Sequence, residues 1–438
     1  MIRKFKNHLN DNLPFLRNGK LLIACSGGLD SVVLTTLCST LKLKIGVAHC
    51  NFKLRGTESD GDAIFVKEIA DTIKVPCYIT DFETESYACE HKLSIQMAAR
   101  ELRYNWFLEL LNTYQYDYIL TAHHSDDNLE TFLINISRGT GIEGLTGIPE
   151  INDTYIRPLL PFSRDQILAY AKEYDIKWRE DSSNTSTKYI RNKIRHLVIP
   201  ELKSVTSDFL HNFETTLDHL KQANRFVKNQ VDRVRKDIFE YVEPDVIKIS
   251  IPKLQQYDDP KTYLYFLLKE YGFKAWDDIL NILTAQSGKQ IFSQGYRLIK
   301  DRTDLLLSPI AEKITDRSYE IAEEESMIMI PIGMLKFKDV TQLSNIDLKT
   351  IYVDKEKLKY PMTVRKWEVG DYFYPLGMRG KKKLSKYFKD EKLSLLAKER
   401  VWLLCSGQDI VWVIDYRADD RFKITPRTKN IVKVTITL

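Results

Sequence analysis

The sequence predicts an α/β protein in which an N-terminal parallel-sheet, Rossmann-like domain precedes a helical middle domain and a small β-containing C-terminal domain. Three observations predict it. Over about the first 135 residues, short apolar runs of strand length alternate with stretches of helical length. Apolar residues at an alternating 3/4 spacing then run from Phe213 to Ile238. From Ser318 onward, β-branched and aromatic residues separated by Gly turns take over. The expected divisions are 1–208, 209–317 and 318–438.

The elements follow in order. Segments 21–24, 45–48, 77–79 and 118–120 are short and apolar throughout, as strands buried on both faces are. Helical stretches at 31–41, 58–73 and 95–111 separate them, and Ile64, Phe65, Ile69 and Ile73 give the second one buried face. Strand–helix–strand repetition of this kind builds a parallel sheet with helices on both faces. Ligands of such sheets bind at the carboxyl ends of the strands. Further on, Phe213, Leu217, Leu220, Val227, Val231, Val234 and Ile238, with Asn224 in the one polar slot, predict a long amphipathic helix packed on its own domain. Helical character continues through 262–271 and 276–284, and 410–414 reads as a C-terminal strand.

Composition narrows the function classes. The chain has 438 residues, 43% hydrophobic and 29% charged, as ordinary globular proteins are. No apolar run approaches the ~18–20 residues of a membrane-spanning helix, and the first residues lack a signal-peptide core. Six scattered cysteines form no CxxC pair, so a disulfide scaffold, a zinc ribbon and a Cys-ligated cluster are not expected. A reduced, cytoplasmic protein without a membrane partner is the expectation. The net charge of +5 hides an asymmetry, because the stretch from Ile351 holds about 20 Lys and Arg against about 11 Asp and Glu. That balance suits a polyanionic partner or a solvated lysine-rich surface.

The sharpest chemical signal is Ser26-Gly27-Gly28-Leu29-Asp30-Ser31, placed between a strand and a helix. Adjacent glycines let bare N–H groups approach an anion, and the helix start adds unpaired donors with a partial positive charge. Ser26 and Ser31 offer hydroxyls, and Asp30 can hold Mg²⁺ beside phosphates. The Walker A lysine is absent. In Ala99-Arg100-Glu101-Leu102-Arg103, Arg100 and Arg103 lie one helical turn apart, where either fork matches phosphate oxygens. In His123-His124-Ser125-Asp126-Asp127-Asn128-Leu129-Glu130-Thr131, Asp127 and Glu130 share a helix face. Two carboxylates on one rim suit an ammonium group, although the same spacing is a capping box. Adjacent histidines fit no common zinc pattern. Arg191 and Arg195 share a helix face suited to nucleic-acid phosphate.

The hexapeptide at Ser26 resembles the PP-loop of the N-type ATP pyrophosphatase superfamily. His49-Cys50-Asn51-Phe52-Lys53-Leu54-Arg55, the His123–Thr131 motif, Arg138-Gly139-Thr140-Gly141, 180–184, 191–196 and the C-terminal 364–385 narrow the resemblance to the tRNA(Ile)-lysidine synthetase family. Phe52 stands where a second His is common, and Asn128 where Gln is usual. The resemblance implies an adenine nucleotide α-hydrolase type of fold, ATP and Mg²⁺ as cofactors, and L-lysine and tRNA(Ile) with a CAU anticodon as partners; a homodimer is left open. It implies ligation of lysine to C2 of the wobble cytidine through an adenylated intermediate. By that resemblance Ser26, Gly27, Gly28, Leu29, Asp30, Ser31, His49, Gly139 and one or both of Arg100 and Arg103 hold ATP, with Asp30 on Mg²⁺ through the phosphates. Asp127 and Glu130 hold lysine, and Asp30, His123, Asp127 and Glu130 are the catalytic candidates, with the general base unassigned. Arg55, Arg191, Arg195, Arg365, Lys381, Lys382 and Lys383 face tRNA. The alternatives are a tRNA thiolation enzyme on the same loop and a non-catalytic tRNA-binding protein.

Overall fold

The computed structural model describes residues 1–180, 190–243, 245–310, 318–343 and 347–437. The chain folds as two compact units, Met1–Lys228 and Asn229–Leu438, whose boundary falls inside the long helix.

The first unit opens with helix α1 (Ile2–Asn12) and is then wound around a parallel sheet. Its elements are β1 (Lys20–Ala24), α2 (Leu29–Thr40), β2 (Lys44–Asn51), α3 (Thr57–Thr72), β3 (Cys77–Asp81), α4 (Thr84–Glu90), α5 (Ile95–Tyr114), β4 (Tyr118–Leu120) and α6 (Ser125–Arg138). Short strands β5 (Ile151–Asn152) and β6 (Tyr155–Ile156) follow, then α7 (Arg164–Glu173), α8 (Ile190–Lys193), a π turn Ile194–Val198, α9 (Ile199–Val205) and the 30-residue α10 (Phe209–Ile238). The sheet order is β3-β2-β1-β4-β6-β5, parallel except for the β5–β6 hairpin. Strand order reverses between β1 and its two neighbours, which opens a crevice at the carboxyl edge.

Period-2 geometry explains the continuous apolar runs. Leu21 and Ile23 of β1 join Phe5, Leu34 and Leu37 of α1 and α2 on one face, and Leu22 meets Phe107 and Leu110 of α5 on the other. Leu22 and Leu34 are fully buried, so truncating either to Ala costs about 2–5 kcal/mol. Ser94 caps α5 by accepting the Met97 N–H, and Ser163 with Gln166 forms a capping box on α7. These caps fix where each helix starts, and therefore which loops reach the sheet edge.

In the second unit a five-stranded antiparallel sheet, β7 (Phe239–Glu243), β8 (Val246–Ser250), β9 (Gln290–Phe292), β10 (Tyr296–Asp301) and β11 (Asp304–Pro309), accompanies α11 (Ile251–Leu254), α12 (Pro260–Leu268) and α13 (Trp276–Ile282). The helical expectation for the middle segment holds for its helices; the sheet is an addition. Its β10–β11 hairpin turns at Arg302, with φ of 52°, and Arg297 and Lys300 interrupt the apolar alternation that signals a strand. Beyond it, β12 (Tyr319–Ile321), β13 (Met327–Ile330), β14 (Gly333–Val340), β15 (Thr350–Asp354), β16 (Met362–Lys366), β17 (Tyr372–Phe373), β18 (Lys382–Lys383), α14 (Leu384–Asp390), α15 (Leu395–Arg400), β19 (Trp402–Ser406), β20 (Asp409–Val413), β21 (Arg417–Ala418) and β22 (Ile431–Thr437) form two larger antiparallel sheets and a small hairpin. Trp402, Trp412, Val364 and Val434 lie in their shared core.

Candidate active site

At the end of β1 the chain turns through Gly27, whose φ is 87°, and Gly28 then caps α2. Ser31 fastens the turn from inside. Its hydroxyl donates to the Gly28 carbonyl at 3.0 Å and accepts the Ser26 N–H at 3.2 Å. The first helical bond runs from the Val32 N–H to Gly28, so the N–H groups of Leu29, Asp30 and Ser31 have no carbonyl one turn back. An anion at this turn meets oriented donors at the positive end of a 12-residue helix.

Four residues after β4, the buried imidazole of His124 sits among three carboxylates. Its Nε2 is 3.6 Å from Asp30 Oδ2 and 3.5 Å from Asp127 Oδ2, and its Nδ1 is 3.8 Å from Asp126 Oδ2. Burial opposes a charge on this ring, but Asp30, Asp127 and Asp126 outweigh it and raise its pKa. His123 behaves oppositely. Burial, aided by Arg157 and Arg191, pushes it down to about 4 against the pull of Asp127, so this ring is neutral at pH 7. Its Nδ1 lies 3.0 Å from Thr121 Oγ1.

Helix α6 starts at Ser125, and the His124 backbone N–H donates to Asp127 Oδ2 at 3.0 Å. Asp127 therefore caps the helix with one oxygen and presents the other to the crevice. Arg191 donates to that Oδ1 at 2.8 Å and to Glu130 Oε2 at 2.6 Å, while Arg195 donates to both Glu130 oxygens and to Asp127 Oδ1. The helix spacing of 191 and 195 thus aims both guanidiniums at a carboxylate pair, where the sequence suggested a phosphate-facing surface. Glu130 is 1% exposed, and among the described residues only these two arginines balance its charge. Asp126 is tied to the Arg164 N–H at 2.8 Å and to Lys203, which together hold its carboxyl below the usual range although burial alone would raise it. Asn128 accepts the Ile148 N–H at 2.6 Å and anchors a loop.

On the α5 side, the Arg100 guanidinium lies 4.8 Å from the centre of the Tyr104 ring and Arg103 lies 5.4 Å from that of Phe52. Among the described residues, neither faces a carboxylate at ion-pair distance. His49 is buried at the end of β2 with Nδ1 2.9 Å from the Cys25 carbonyl, and burial lowers its pKa. Arg55 and Arg179 both clamp Asp62. Gly139 ends α6 at φ of 71°, roughly 20 Å along the helix from His124. Residues 181–184 lie outside the described residues. Sequence reading assigned no site role to His124, Asp126, Arg157, Arg179 or Lys203. Lys203 and Arg179 act on acids 77 and 117 residues away, a pairing that no local pattern carries.

A family model for a PP-loop domain matches residues 1–202, one for a TilS substrate binding domain matches 242–310, and one for a TilS substrate C-terminal domain matches 362–435. A tRNA(Ile)-lysidine synthase of Parabacteroides distasonis is 42% identical over 419 residues, 94% of each chain. Another, of Bacteroides thetaiotaomicron, is 38% identical over 430 residues, 98% of this chain and 96% of the relative. The chain belongs to the tRNA(Ile)-lysidine synthase family. As a lysidine synthase family member built on a PP-loop domain, it is an enzyme that uses ATP.

The part of this family member matched as the TilS substrate C-terminal domain contains the basic candidates of the second unit. Arg365 is forked onto Asp371 by two 2.8 Å bonds, and Lys382 pairs with Asp390 at 2.7 Å. Lys381 lies 4.5 Å over the Tyr372 ring, and Lys383 immediately precedes α14; both are exposed. Among the described residues, no helix is long and apolar enough to cross a membrane. Likewise no cluster of three or more His, Cys, Asp or Glu is arranged to hold a metal by protein ligands alone.

Proposed function

We propose that the chain ligates L-lysine to C2 of the wobble cytidine of tRNA(Ile) with a CAU anticodon, in the cytoplasm, giving lysidine, AMP and pyrophosphate. The observation that carries this reading is the buried His124 imidazole, 3.6 Å from Asp30 and 3.5 Å from Asp127, which joins the nucleotide turn to the carboxylate pair in one site.

Cytosine O2 is a poor leaving group from C2. Attack of that oxygen on the ATP α-phosphorus, with pyrophosphate departing, turns it into a phosphate ester. The lysine ε-amine then adds to C2, the C2–O bond breaks, and AMP leaves with the oxygen. The N–H groups of Leu29, Asp30 and Ser31, with Arg100 or Arg103, hold the phosphates and offset the negative charge that builds on them. Ser26 and Ser31 keep the turn in shape. Asp30 Oδ1 is covered and has no hydrogen-bond partner among the described residues, which fits a Mg²⁺ ligand shared with phosphate oxygens. Bound there, Mg²⁺ supplies Lewis-acid neutralisation of the phosphates.

Asp127 and Glu130 are the lysine-binding carboxylates of this reading. Arg191 and Arg195 occupy them, so an incoming ammonium exchanges places with at least one guanidinium, and a freed arginine becomes available to phosphate or RNA. The amine, with an ordinary pKa of ~10.4, must lose a proton before it attacks. Neutral His123 borders Asp127 and is an acceptor for that proton, although its low basicity makes desolvation of the amine the larger contribution. On the second unit, Lys381 and Lys383 are the exposed cations for tRNA phosphate. A thiolation chemistry has less support, because the Cys25 thiol beside the turn is buried and its pKa is raised by that burial.

The test is mass spectrometry of tRNA(Ile) incubated with protein, ATP, Mg²⁺ and lysine. A gain of one lysine minus water on cytidine, with AMP formed in equal amount, is expected. Unmodified RNA, or sulfur incorporation instead, overturns the proposal.

A further inference from the structure

Next to the phosphate turn, the ends of β2 and β3 carry an aromatic pile that the chemistry above does not use. Phe52 and Phe82 stack with ring centres 5.7 Å apart and planes 23° off parallel, and Trp106 meets Phe82 edge-on at 6.3 Å. Arg103, exposed on α5, lies 5.4 Å from the Phe52 ring. Simple packing of a helix on strand ends favours an apolar side chain at that point. Here a guanidinium takes the place, reaches solvent, and has no carboxylate at ion-pair distance among the described residues.

The pile is also held in place. Thr84 Oγ1 donates to the Phe52 carbonyl at 3.0 Å, the Phe82 N–H donates to the Asn51 carbonyl at 2.8 Å, and the Lys53 N–H donates to Asn51 Oδ1 at 3.0 Å. Asn51 Nδ2 in turn donates to Asp60 at 2.9 Å. Both residues flanking Phe52 are thus tethered, and its half-buried ring has little freedom to lose when a ligand arrives.

We propose that Phe52 and Arg103 form a stacking platform for a nucleobase, which leaves Arg100 as the α5 arginine for the phosphates. A flat ring topped by a delocalised cation at a protein edge matches the way unstacked bases are held, on aromatic faces and guanidinium planes. The platform lies on the edge that carries the phosphate turn, and two bases meet there in the proposed reaction: the adenine of ATP and the wobble cytosine. The inference rests on that reaction for the identity of the bases, and on the geometry alone for the stacking.

Binding of two probes separates the cases: the nonhydrolysable ATP analogue AMP-PNP, and anticodon stem–loop RNA of tRNA(Ile) carrying either cytidine or an abasic sugar at the wobble position. If the platform holds cytosine, Phe52→Leu weakens binding of the intact RNA by about 5–150-fold. The wild type then loses a similar factor on the abasic RNA, and the leucine variant binds both RNAs alike. If it holds adenine, the loss appears for AMP-PNP and not for RNA. Phe52→Trp retains the affinity in either case, and the unaffected probe reports that the leucine variant is folded. Equal binding of both probes by Phe52→Leu and wild type overturns the platform. Lysidine formation by wild type is read separately by mass, so a platform that holds in an enzyme making no lysidine leaves the stacking intact and sinks only the reaction.

Discussion

Nε2 of His124 lies 3.6 Å from Oδ2 of Asp30, so a residue placed after β4 reaches the first turn of the helix after β1. The two strands are neighbours in the sheet, paired from Leu21–Tyr118 to Ile23–Leu120, and the crevice of the switch point lies above that pairing. The same imidazole contacts Asp127, so displacement of either carboxylate is felt by the other.

Asp30→Asn keeps the shape and removes the charge. Pyrophosphate release is expected to fall by roughly 100–1000-fold, the usual effect of deleting one charge-stabilising group. Affinity for tRNA should be unchanged, because Asp30 offers RNA no cation. A pyrophosphate assay beside a filter-binding assay reads both, and near-normal release would remove Asp30 from the chemistry.

The neutral state of His123 has a consequence for stability. Its pKa is 6.5 in a free chain and about 4 when folded, so the unfolded chain binds the proton more tightly. The contribution of the buried neutral ring is complete above pH 6.5 and shrinks as pH falls towards 4. Denaturant melts of wild type and His123→Gln across that range should show wild type losing ground to the variant on acidification. A constant difference would mean that the ring titrates normally.

The carboxylate–arginine lattice predicts unequal arginine variants. Arg195 is 25% exposed at its side chain and Arg191 is 43%. Removing the better buried partner of a buried acid costs about 3–5 kcal/mol, and solvent reduces the cost for the more exposed one. Arg195→Ala should therefore lower the urea midpoint more than Arg191→Ala. Arg191→Ala should also lower KM for lysine, since one competitor for the carboxylates is gone. A raised KM would instead make Arg191 part of the lysine site.

Much of this was legible in the sequence, for a physical reason in each case. Buried parallel strands leave uninterrupted apolar runs, and a phosphate turn needs glycines and hydroxyls in sequence, so β1, α2 and Ser26–Ser31 announce themselves locally. The spacing of Asp127 and Glu130 likewise predicts a shared face. Their occupation by Arg191 and Arg195 does not follow from spacing, because it depends on where the segment after β6 returns. The sheet at Phe239–Glu243 and Gln290–Pro309 was hidden for another reason. Charged residues such as Lys300, whose Nζ is satisfied by the Arg302 carbonyl, break the alternation by which strands are recognised.

The loop behind α6 offers a test of how tightly the site is held. Asn128 stands in the first turn of α6 between Asp127 and Glu130, and its Oδ1 accepts the Ile148 N–H at 2.6 Å. Gly147, at φ of 74°, leaves room for that bond; a Cβ there would sit 2.7 Å from Asn128 Oδ1. Gly147→Ala carries two costs, a left-handed backbone strained by about 1–3 kcal/mol and a clash with Asn128. Asn128→Ala leaves the Ile148 N–H without its acceptor, at about 1–3 kcal/mol. Combined, the changes should cost less than their sum by at least about 0.5 kcal/mol, because the clash disappears once Asn128 is shortened while the backbone strain stays. Gly147→Ala alone should also impair lysine transfer, since Asn128 lies on the helix that carries Asp127 and Glu130 and a shift of its backbone moves both carboxylates. Strict additivity in thermal melts, with transfer unimpaired, would show that the loop yields instead and that the carboxylate pair is insulated from it.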